Sequence, residues 1–371
     1  MRRITHLTSA HSRFDTRIFH KMCSSLVRNG YDVSLVVADS NGDENRNGVK
    51  IHDVGKPKGR FERARNTSRR VLLQAVPLNA DLYHLHDPEL IPIGLDLKRL
   101  GKKVIFDFHE DVPKQLLGKS YFNPLVLRLL SFGFAQYERF VCSRFDAIIT
   151  ATPFIRDKFL KINPRTVDIN NYPILGELEQ FNQVANERST ACYVGGVEAI
   201  RGIREMVRAM ERVRSDIRLE IAGSFSEPAL GKEVGQYLGW EKVDELGFID
   251  RAGVREVLSR SLMGLVTLHP LINYIDALPV KMFEYMSAGV PVIASNFPLW
   301  REIIEDNGCG LCVDPLDPQA IAVAIDTLAQ DPVRARKMGQ KGKRAVQQHY
   351  NWGVEEKKLL GLYENLLKDH P

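Results

Sequence analysis

The sequence predicts an α/β protein made of two doubly wound, Rossmann-like parallel-sheet domains, and three observations support this. The chain has 371 residues, more than twice the ~150 that one hydrophobic core commonly serves. Short apolar runs alternate with amphipathic helical stretches, which is the pattern of βαβ units. One polar stretch, residues 170–189, interrupts this alternation and separates two sets of similar size. We therefore place the domains at residues 1–180 and 181–371.

In the first domain, each expected strand is an apolar run that is followed by a helical pattern. The first helix is expected at residues 17–28, ending near Gly30. Parallel neighbours need such helical crossovers, which are right-handed almost without exception. The expected strands are residues 4–7, 32–38, 81–86, 103–108 and 146–150.

The second domain repeats the alternation. Strands are expected at residues 191–194, 218–222, 243–246, 263–268, 291–294 and 310–313, and helices at 201–213, 251–261, 280–288, 319–330 and twice within 333–367. We expect the last helix, about residues 351–368, to cross back to the first domain. Ligands of doubly wound sheets bind outside the carboxyl ends of the strands, so the two domains are expected to face each other across a cleft that holds the site.

Composition points to a protein of the cytoplasm. No apolar run reaches the ~18 residues of a membrane-spanning helix, and the first residues lack the apolar core of a signal peptide. Five cysteines fit a reducing compartment.

Cys309 and Cys312 form a C-x-x-C pair, which is a candidate for redox or metal chemistry. A turn into a short buried strand explains the pair better, because no second Cys or His pair completes a metal site.

Basic charge is concentrated in the first half, where residues 1–180 carry 28 Lys and Arg against 20 Asp and Glu. Lys56–Arg70 holds seven basic residues and one acidic residue, and Tyr121–Phe145 is rich in leucine and aromatic residues with scattered arginines. Such segments can hold a protein on anionic lipid. A solvated basic loop and an ordinary amphipathic core helix are equally consistent with them. Nucleic acid is disfavoured, because no binding motif accompanies the charge.

The most informative segment follows the expected strand at residues 263–268. A polar loop leads to a helix that begins near Pro279, a residue suited to a first helical turn. The free N–H groups of this end, including that of Val280, form an anion site with the helix dipole, and Lys281 adds a cation. Glu284, one turn further, could accept hydrogen bonds from ribose hydroxyls. The alternative is an exposed ion pair between Lys281 and Glu284, which contributes little.

The run Leu278–Ser295, followed by Glu302 and Gly310, resembles the donor-binding signature of retaining GT-B glycosyltransferases of family 4, the glycosyl transferases group 1. That family has two glutamates separated by seven residues. The second matches Glu284, which the resemblance implies holds the ribose. The first falls on Asp276, a shorter acid, which is implied to lie near the donor sugar.

Other positions resemble the family one by one. The segment Tyr193–Ile203 is similar to the strand and loop that grip the donor phosphates, with Arg201 in place of the usual lysine. An arginine often found after the first glycine is absent, and Gly196 stands there. Arg201 could instead be a surface residue at a helix start, but a cation there opposes the helix dipole, a conflict typical of functional sites.

Three further positions are assigned to the nucleotide by the same resemblance. Gly223 is similar to a glycine that allows the nucleotide to approach closely. Phe248 and Ile249 lie in a segment that matches the loop where the base packs, and both are candidates for stacking and backbone hydrogen bonds. A role in the hydrophobic core is equally consistent with both residues.

The acceptor is assigned to the first domain. The segment after the first strand lacks a glycine-rich loop and resembles a family-4 subgroup with an Asp-x-Arg-Ile-Phe turn. Asp15 is expected to cap the following helix, or to pair with Arg17. His11 and Arg17 are expected to point into the cleft, and His86, at the end of another strand, joins this acceptor-side set.

Ionisable groups at the end of the strand at residues 103–108 are costly unless they pair or function. The family has a histidine near the donor sugar at a comparable place, so His109 is assigned a catalytic role together with Asp276 and Glu110. Clustered histidines could indicate a metal, but no local spacing supports a ligand set. The resemblance implies neither a metal nor a cofactor.

The implied function is a hexosyl transfer from a nucleotide-sugar to a hydroxyl of a saccharide or lipid-linked saccharide acceptor, with retention, in cell-surface polysaccharide synthesis. UDP is favoured over GDP because it is more common in the family. A lipid-linked acceptor would bring the protein to the inner face of the cell membrane. Two alternatives stay open: a nucleotide-sugar epimerase of the same fold, and a non-catalytic nucleotide-sugar-binding subunit, which Asp276 and the missing arginine near Gly196 leave possible.

Overall fold

A computed structural model describes residues 1–117, 123–178 and 188–368. Contacts between residues divide the chain into two compact units. The first unit is Met1–Asn171 together with Gly353–Pro371, and the second is Tyr172–Trp352. The last helix is thus part of the first unit. The domain boundary expected at residue 180 lies outside the described residues.

The first unit contains a sheet that has eight strands in the described part of the chain, in the order β3-β4-β2-β1-β5-β6-β7-β8. Every pairing is parallel except that of β3 with β4. The strands are β1 (Arg3–Leu7), β2 (Asp32–Val37), β3 (Glu44–Arg46), β4 (Val49–Asp53), β5 (Leu82–Leu85), β6 (Lys103–Phe108), β7 (Ala147–Thr150) and β8 (Thr166–Asp168). The sequence did not predict β3, β4 and β8, because β3 and β8 have three residues each and β4 has only two apolar residues.

Helices cover this sheet and complete its crossovers. Their apolar faces pack against the buried strands, with Phe106 and Tyr83 among the largest fully buried side chains. The helical segments are Thr16–Cys23, Ser24–Arg28, Arg60–Glu62, Arg63–Thr67, Ser68–Leu78, Pro88–Leu90, Ile91–Arg99, Val112–Leu117, Pro124–Cys142, Pro153–Leu160 and Trp352–Lys368.

The second unit contains a sheet with six parallel strands among the described residues, in the order β11-β10-β9-β12-β13-β14. They are β9 (Thr190–Val194), β10 (Arg218–Ala222), β11 (Val243–Gly247), β12 (Ser261–Val266), β13 (Val292–Ser295) and β14 (Gly310–Val313). The helices are Ala199–Arg201, Ile203–Met210, Pro228–Val234, Leu238–Lys242, Arg251–Arg260, Val280–Ser287, Pro298–Asp306, Pro318–Gln330 and Pro332–Gln348. The predicted fold class is confirmed by these two doubly wound sheets.

Strand order decides where each unit can bind a ligand. In both sheets the connections reverse direction once, between β1 and β5 in the first unit and between β9 and β12 in the second. Loops that leave the carboxyl ends of neighbouring strands separate at such a point and open a crevice. The expected site segments after β1, β5 and β6, and those after β9 and β12, all lie at these edges.

Two sequence expectations concern cysteines and membrane spans. Cys309 and Cys312 are free thiols, and burial raises the pKa of each to about 12. Neither is therefore poised for redox chemistry at neutral pH.

Among the described residues, every helix is too short or too polar to pass through a bilayer.

Candidate functional site

A lysine whose Nζ is buried dominates the crevice of the second unit. Lys281, in the first turn of the helix Val280–Ser287, lies with its Nζ 3.7 Å from the centre of the Tyr193 ring. This Nζ has no hydrogen-bond partner among the described residues. Burial, and then the nearby charge of Arg201, lower the pKa of Lys281 to about 7. An unpaired ammonium in this position is stabilised by an incoming anion.

Arg201 supplies a second cation beside the same loop. Its Nε lies 3.4 Å from Oε2 of Glu198, while the Tyr193 hydroxyl donates to the carbonyl of Gly196 at 2.6 Å and shapes the loop after β9. Lys281 and Arg201 lie close enough for each to affect the other's charge, since burial and then Arg201 lower the pKa of Lys281, so the crevice concentrates positive charge. Such a concentration of charge next to exposed backbone N–H groups is suited to a phosphate.

The helix Val280–Ser287 begins as the sequence predicted. Pro279 stands at its N-cap in an extended conformation, and no side chain of the described residues caps this end. The first backbone N–H groups, including that of Val280, therefore remain available to an anion. The helix dipole adds a partial positive charge at the same end.

Glycines bring this phosphate-facing loop close to the neighbouring strands. Gly195 has a φ of 128°, and a Cβ built there would lie 2.9 Å from Nζ of Lys281. Gly223, at the end of β10, has a φ of 156°, and its Cβ would meet the carbonyl oxygen of Gly195 at 1.9 Å. Close backbone approach thus requires glycine at position 223, and the group that approaches is the loop after β9.

Glu284 is held by a residue that the sequence did not single out. Nη1 of Arg251 donates to Oε1 of Glu284 at 2.7 Å, and Nε of Arg251 donates to Glu177 at 2.8 Å. The alternative ion pair between Lys281 and Glu284 is not among the ion pairs of the described residues. Arg251 could not be found from local spacing, since it lies 33 positions before Glu284.

Phe248 and Ile249, the two candidates for contact with the nucleobase, differ in their exposure. Phe248 is 83% exposed, so its ring is free to stack on a nucleobase. Ile249 is half-buried and packs against the core of the second unit. Asp276 lies in the turn at residues 272–276 that leads to the phosphate-facing helix, where it is half-buried.

At the edge of the first unit, two imidazoles stand side by side and each faces a buried carboxylate. His11 Nδ1 lies 3.0 Å from Oδ1 of Asp87, and His109 Nε2 lies 3.3 Å from Oδ2 of Asp107. The two rings are 4.8 Å apart. Burial lowers the pKa of His11, but the carboxylate of Asp87 outweighs it and raises the pKa above the ordinary value.

Two residues expected to touch the acceptor lie in the interior instead. Arg17 is 4% exposed and donates to both oxygens of Asp107, at 2.9 and 2.8 Å, and to the carbonyl of Ile169 at 2.6 Å. His86 is 2% exposed. A buried carboxylate must be paired, which is why Arg17 turns inward rather than toward a substrate.

The remaining acceptor-side residues keep local roles. Asp15 accepts hydrogen bonds from the backbone N–H groups of Arg17 and Ile18, at 2.8 and 2.9 Å, so it caps the helix. The alternative, an ion pair between the side chains of Asp15 and Arg17, is not formed, because Arg17 pairs with Asp107. Glu110 is exposed and accepts a hydrogen bond from Gln115.

Comparison with known proteins shows which family the chain resembles. The model for glycosyl transferases group 1 matches residues 176–345, and the model for glycosyltransferase family 4 matches residues 16–169. The chain is 23% identical to an uncharacterised glycosyltransferase of Methanocaldococcus jannaschii over 92% of both chains. It is 24% identical to the phosphatidyl-myo-inositol mannosyltransferase of Mycobacterium leprae, covering 77% of this chain and 74% of that one.

A solved structure shows the same fold. The crystal structure of Anabaena HepE in complex with UDP and glucose matches with a TM-score of 0.76 at 13% identity, covering 98% of this chain and 100% of that one.

The two candidate edges, one in each unit, differ in their chemistry. The second unit offers cations and helix N–H groups to an anion, and the first offers imidazoles to hydroxyl groups.

Proposed function

Because the chain belongs to the GT-B glycosyltransferases of family 4, we propose that it transfers a hexosyl group from a nucleotide-sugar to a hydroxyl of a saccharide or lipid-linked saccharide. UDP is favoured over GDP, which the UDP complex of the Anabaena relative supports. The transfer retains the anomeric configuration and serves cell-surface polysaccharide synthesis. The buried Nζ of Lys281, which has no hydrogen-bond partner within the described part of the chain, is the observation that supports a diphosphate donor most directly.

In this proposal the second unit binds the leaving group. Lys281, Arg201 and the N-terminus of the helix Val280–Ser287 stabilise the negative charge that builds on the diphosphate as the glycosidic bond breaks. Two cations and the helix dipole supply the charge that a divalent metal would otherwise bring, so we propose that the transfer step needs no metal. Glu284 accepts hydrogen bonds from the ribose, and Phe248 stacks on the base.

The sugar and the acceptor are assigned to the remaining polar groups. Asp276 and His109 contact the donor sugar, and Glu110 binds the acceptor or orients a neighbouring group. His11 is assigned to an acceptor hydroxyl, because Asp87 orients its ring and raises its pKa. A basic imidazole of fixed orientation is suited to hydrogen bonding with a hydroxyl.

Nucleotide release from a panel of UDP-, GDP- and ADP-sugars tests this proposal, with and without a membrane extract as the source of acceptor. Release of one nucleotide, stimulated by the extract and lost in Lys281→Ala, would support a transferase and identify the donor. Conversion of the sugar without an acceptor would instead indicate an epimerase. Tight binding without release under every condition would indicate a binding subunit. Replacing Asp276 with Glu changes the rate of an enzyme but at most the affinity of a binding subunit.

We further propose that the first unit contacts anionic lipid through the helix Pro124–Cys142. Leu129 and Phe132 on its outer face are 72% and 65% exposed. Arg128 and Arg139 are exposed on the same helix, and its acidic residue, Glu138, is buried and paired with Lys158 at 2.8 Å. Exposed apolar and cationic side chains without an exposed acid suit the surface of an anionic bilayer.

The second expected membrane segment, Lys56–Arg70, is less suited to lipid. Within it, Arg63 and Arg70 are engaged by Glu89 and Glu62, at 2.5 and 3.4 Å. Of Tyr121–Phe145, residues 121 and 122 lie outside the described residues. The helix Pro124–Cys142 is therefore the segment proposed to contact lipid, and we propose that it does so at the inner face of the cell membrane.

Sedimentation with vesicles tests this contact. We expect the protein to sediment with vesicles rich in phosphatidylserine more than with neutral ones, and the double variant Leu129→Glu and Phe132→Glu to lose this binding. Val323→Glu, on an exposed helical position of the second unit, is the matched control. Equal sedimentation of the double variant and the wild type would contradict the contact.

A further inference from the structure

One arginine joins two carboxylates at the edge of the second unit where the donor is proposed to bind. Nη1 of Arg251 donates to Oε1 of Glu284 at 2.7 Å, and Nε of the same guanidinium donates to Oε1 of Glu177 at 2.8 Å. The side chain of Glu284 is 13% exposed, whereas those of Arg251 and Glu177 are 46% and 32% exposed. The less exposed of the two carboxylates is therefore the one assigned to the ribose.

Helix stability does not explain an arginine at this position. Arg251 is the first residue of the helix Arg251–Arg260, whose N-cap is Asp250. A cation in the first turn opposes the helix dipole and lowers the stability of the helix. Ion pairs between exposed side chains contribute little that could offset this loss. The orientation that the guanidinium gives to Glu284 explains the residue better.

The backbone on both sides of this bridge is held in place. The side chain of Asp250 accepts a hydrogen bond from the backbone N–H of Gly253 at 2.9 Å, which fixes the start of the helix. Ile249 packs against a hydrophobic core of the second unit, and Leu178, next to Glu177, is 2% exposed in the same core. A group that orients a binding residue must itself be held by its surroundings, and Arg251 meets this condition.

Glu284 has a second cation within reach on its own helix. Lys281 lies three residues earlier in the helix Val280–Ser287, a spacing at which side chains meet. A pair between them would occupy both the carboxylate assigned to the ribose and the ammonium assigned to the phosphates. Glu284 instead pairs with Arg251, and Nζ of Lys281 has no hydrogen-bond partner in the described part of the chain. Pairing with Arg251 therefore leaves both donor-binding groups available.

The order of the side chains along this edge fits one nucleoside diphosphate. Phe248, assigned to the base, precedes Arg251 by three residues, and Lys281, assigned to the phosphates, precedes Glu284 by three residues. The hydrogen bond from Arg251 to Glu284 joins these two segments. The ribose is the part of a nucleotide that connects its base to its phosphates, so it is the part expected at this bond.

We propose that Arg251 is a positioning residue for the donor, which holds the carboxylate of Glu284 in place for the ribose hydroxyls. This role rests on the proposed function, which assigns the ribose to Glu284. Oε1 of Glu284 is engaged by Arg251, which leaves Oε2 to accept from a ribose hydroxyl. A carboxylate that is already held in one orientation loses less rotamer freedom when the ribose binds.

Titration with UDP and with dideoxy-UDP, whose ribose lacks both hydroxyls, tests this role without an acceptor. The wild type should bind UDP at least about tenfold more tightly, which is the usual contribution of a hydrogen bond to a charged group. Arg251→Gln should reduce this preference to about threefold or less. Arg218→Gln is the matched control, because Arg218 is also 46% exposed, pairs with Asp244, and begins a strand whose other end faces the site. It should leave the preference unchanged.

A double variant separates positioning from direct contact. Glu284→Gln by itself should reduce the preference for UDP as Arg251→Gln does. If Arg251 acts only through Glu284, adding Arg251→Gln to Glu284→Gln should change the remaining preference by less than about twofold, because the effects of residues that act through one another are not additive. A further loss of preference in the double variant would mean that Arg251 contacts the ribose itself, and would overturn the positioning role.

The titrations distinguish failure of this role from failure of the proposed function. A wild type that binds neither UDP nor GDP would overturn both. A wild type that prefers UDP over dideoxy-UDP, together with an Arg251→Gln variant that keeps this preference, would overturn the role of Arg251 alone, whatever happens to the melting temperature. Should Arg251→Gln fail to fold, the double variant with Glu177→Gln, which also removes the other unpaired carboxylate, gives the same comparison.

Discussion

The pH dependence of donor binding follows from the burial of Lys281. In the free protein its pKa is about 7, so the ammonium loses its proton as the pH rises through neutrality. A bound diphosphate stabilises the charged form and raises this pKa. Affinity for the donor must therefore fall as the pH rises above 7, because binding then requires the uptake of a proton.

The size of this effect follows from the pKa. Each pH unit above 7 lowers the charged fraction of free Lys281 about tenfold, so Kd should rise up to about a hundredfold between pH 6 and pH 9, or about 2.7 kcal/mol. Isothermal titration with UDP-glucose, and with GDP-mannose if UDP-glucose does not bind, measures Kd at each pH. The diphosphate of a nucleotide-sugar is a diester, so it has no second ionisation in this range.

Lys281→Arg is the matched control, because arginine stays protonated throughout this range. Its Kd should change little with pH, and any titration of other groups is common to both proteins and cancels. A flat profile in the wild type, or an equal slope in both proteins, would refute the assignment of Lys281 to the phosphates.

Three other predictions concern single side chains. Arg17→Met removes the guanidinium partner of the buried Asp107 and leaves only the histidine rings beside it, so thermal or denaturant unfolding should show a loss of about 3–5 kcal/mol; a loss below ~1 kcal/mol would mean that the pair is not needed. Phe248→Ala removes an exposed ring, so nucleotide affinity should fall by about 1–3 kcal/mol in titrations while the melting temperature stays unchanged, and unchanged affinity would place the base elsewhere. Gly223→Ala forces a Cβ onto the carbonyl of Gly195, so it should lower both the melting temperature and donor affinity, whereas Gly59→Ala, in open space, should lower neither.

Local sequence patterns were enough to predict much of the fold. The strands at residues 103–108, 218–222 and 310–313 begin and end where the sequence predicts, because each is an apolar run with turn residues on both sides. The short strand β3, Glu44–Arg46, has no apolar residue at all, so only its pairing with β4 reveals it.

In the candidate site, too, some residues could be placed from local sequence and others could not. Lys281, Pro279 and Asp15 could be placed from sequence because a helix start has local chemical requirements. Arg17 was expected to point into the cleft on the acceptor side, yet it pairs with Asp107, 90 positions away. Arg251 was not identified, because its partners Glu177 and Glu284 lie on other elements.

The sequence by itself determined the two doubly wound units and the start of the helix Val280–Ser287, since apolar periodicity and helix-start chemistry act over a few neighbouring residues. Only the tertiary structure decided which charges are buried, and thereby that Lys281 titrates near neutrality and that three histidines surround one carboxylate. The histidines meet the carboxylate because strand order brings β1, β5 and β6 side by side. Lys281 has a lowered pKa because water is excluded from its Nζ, which makes an unpaired charge costly.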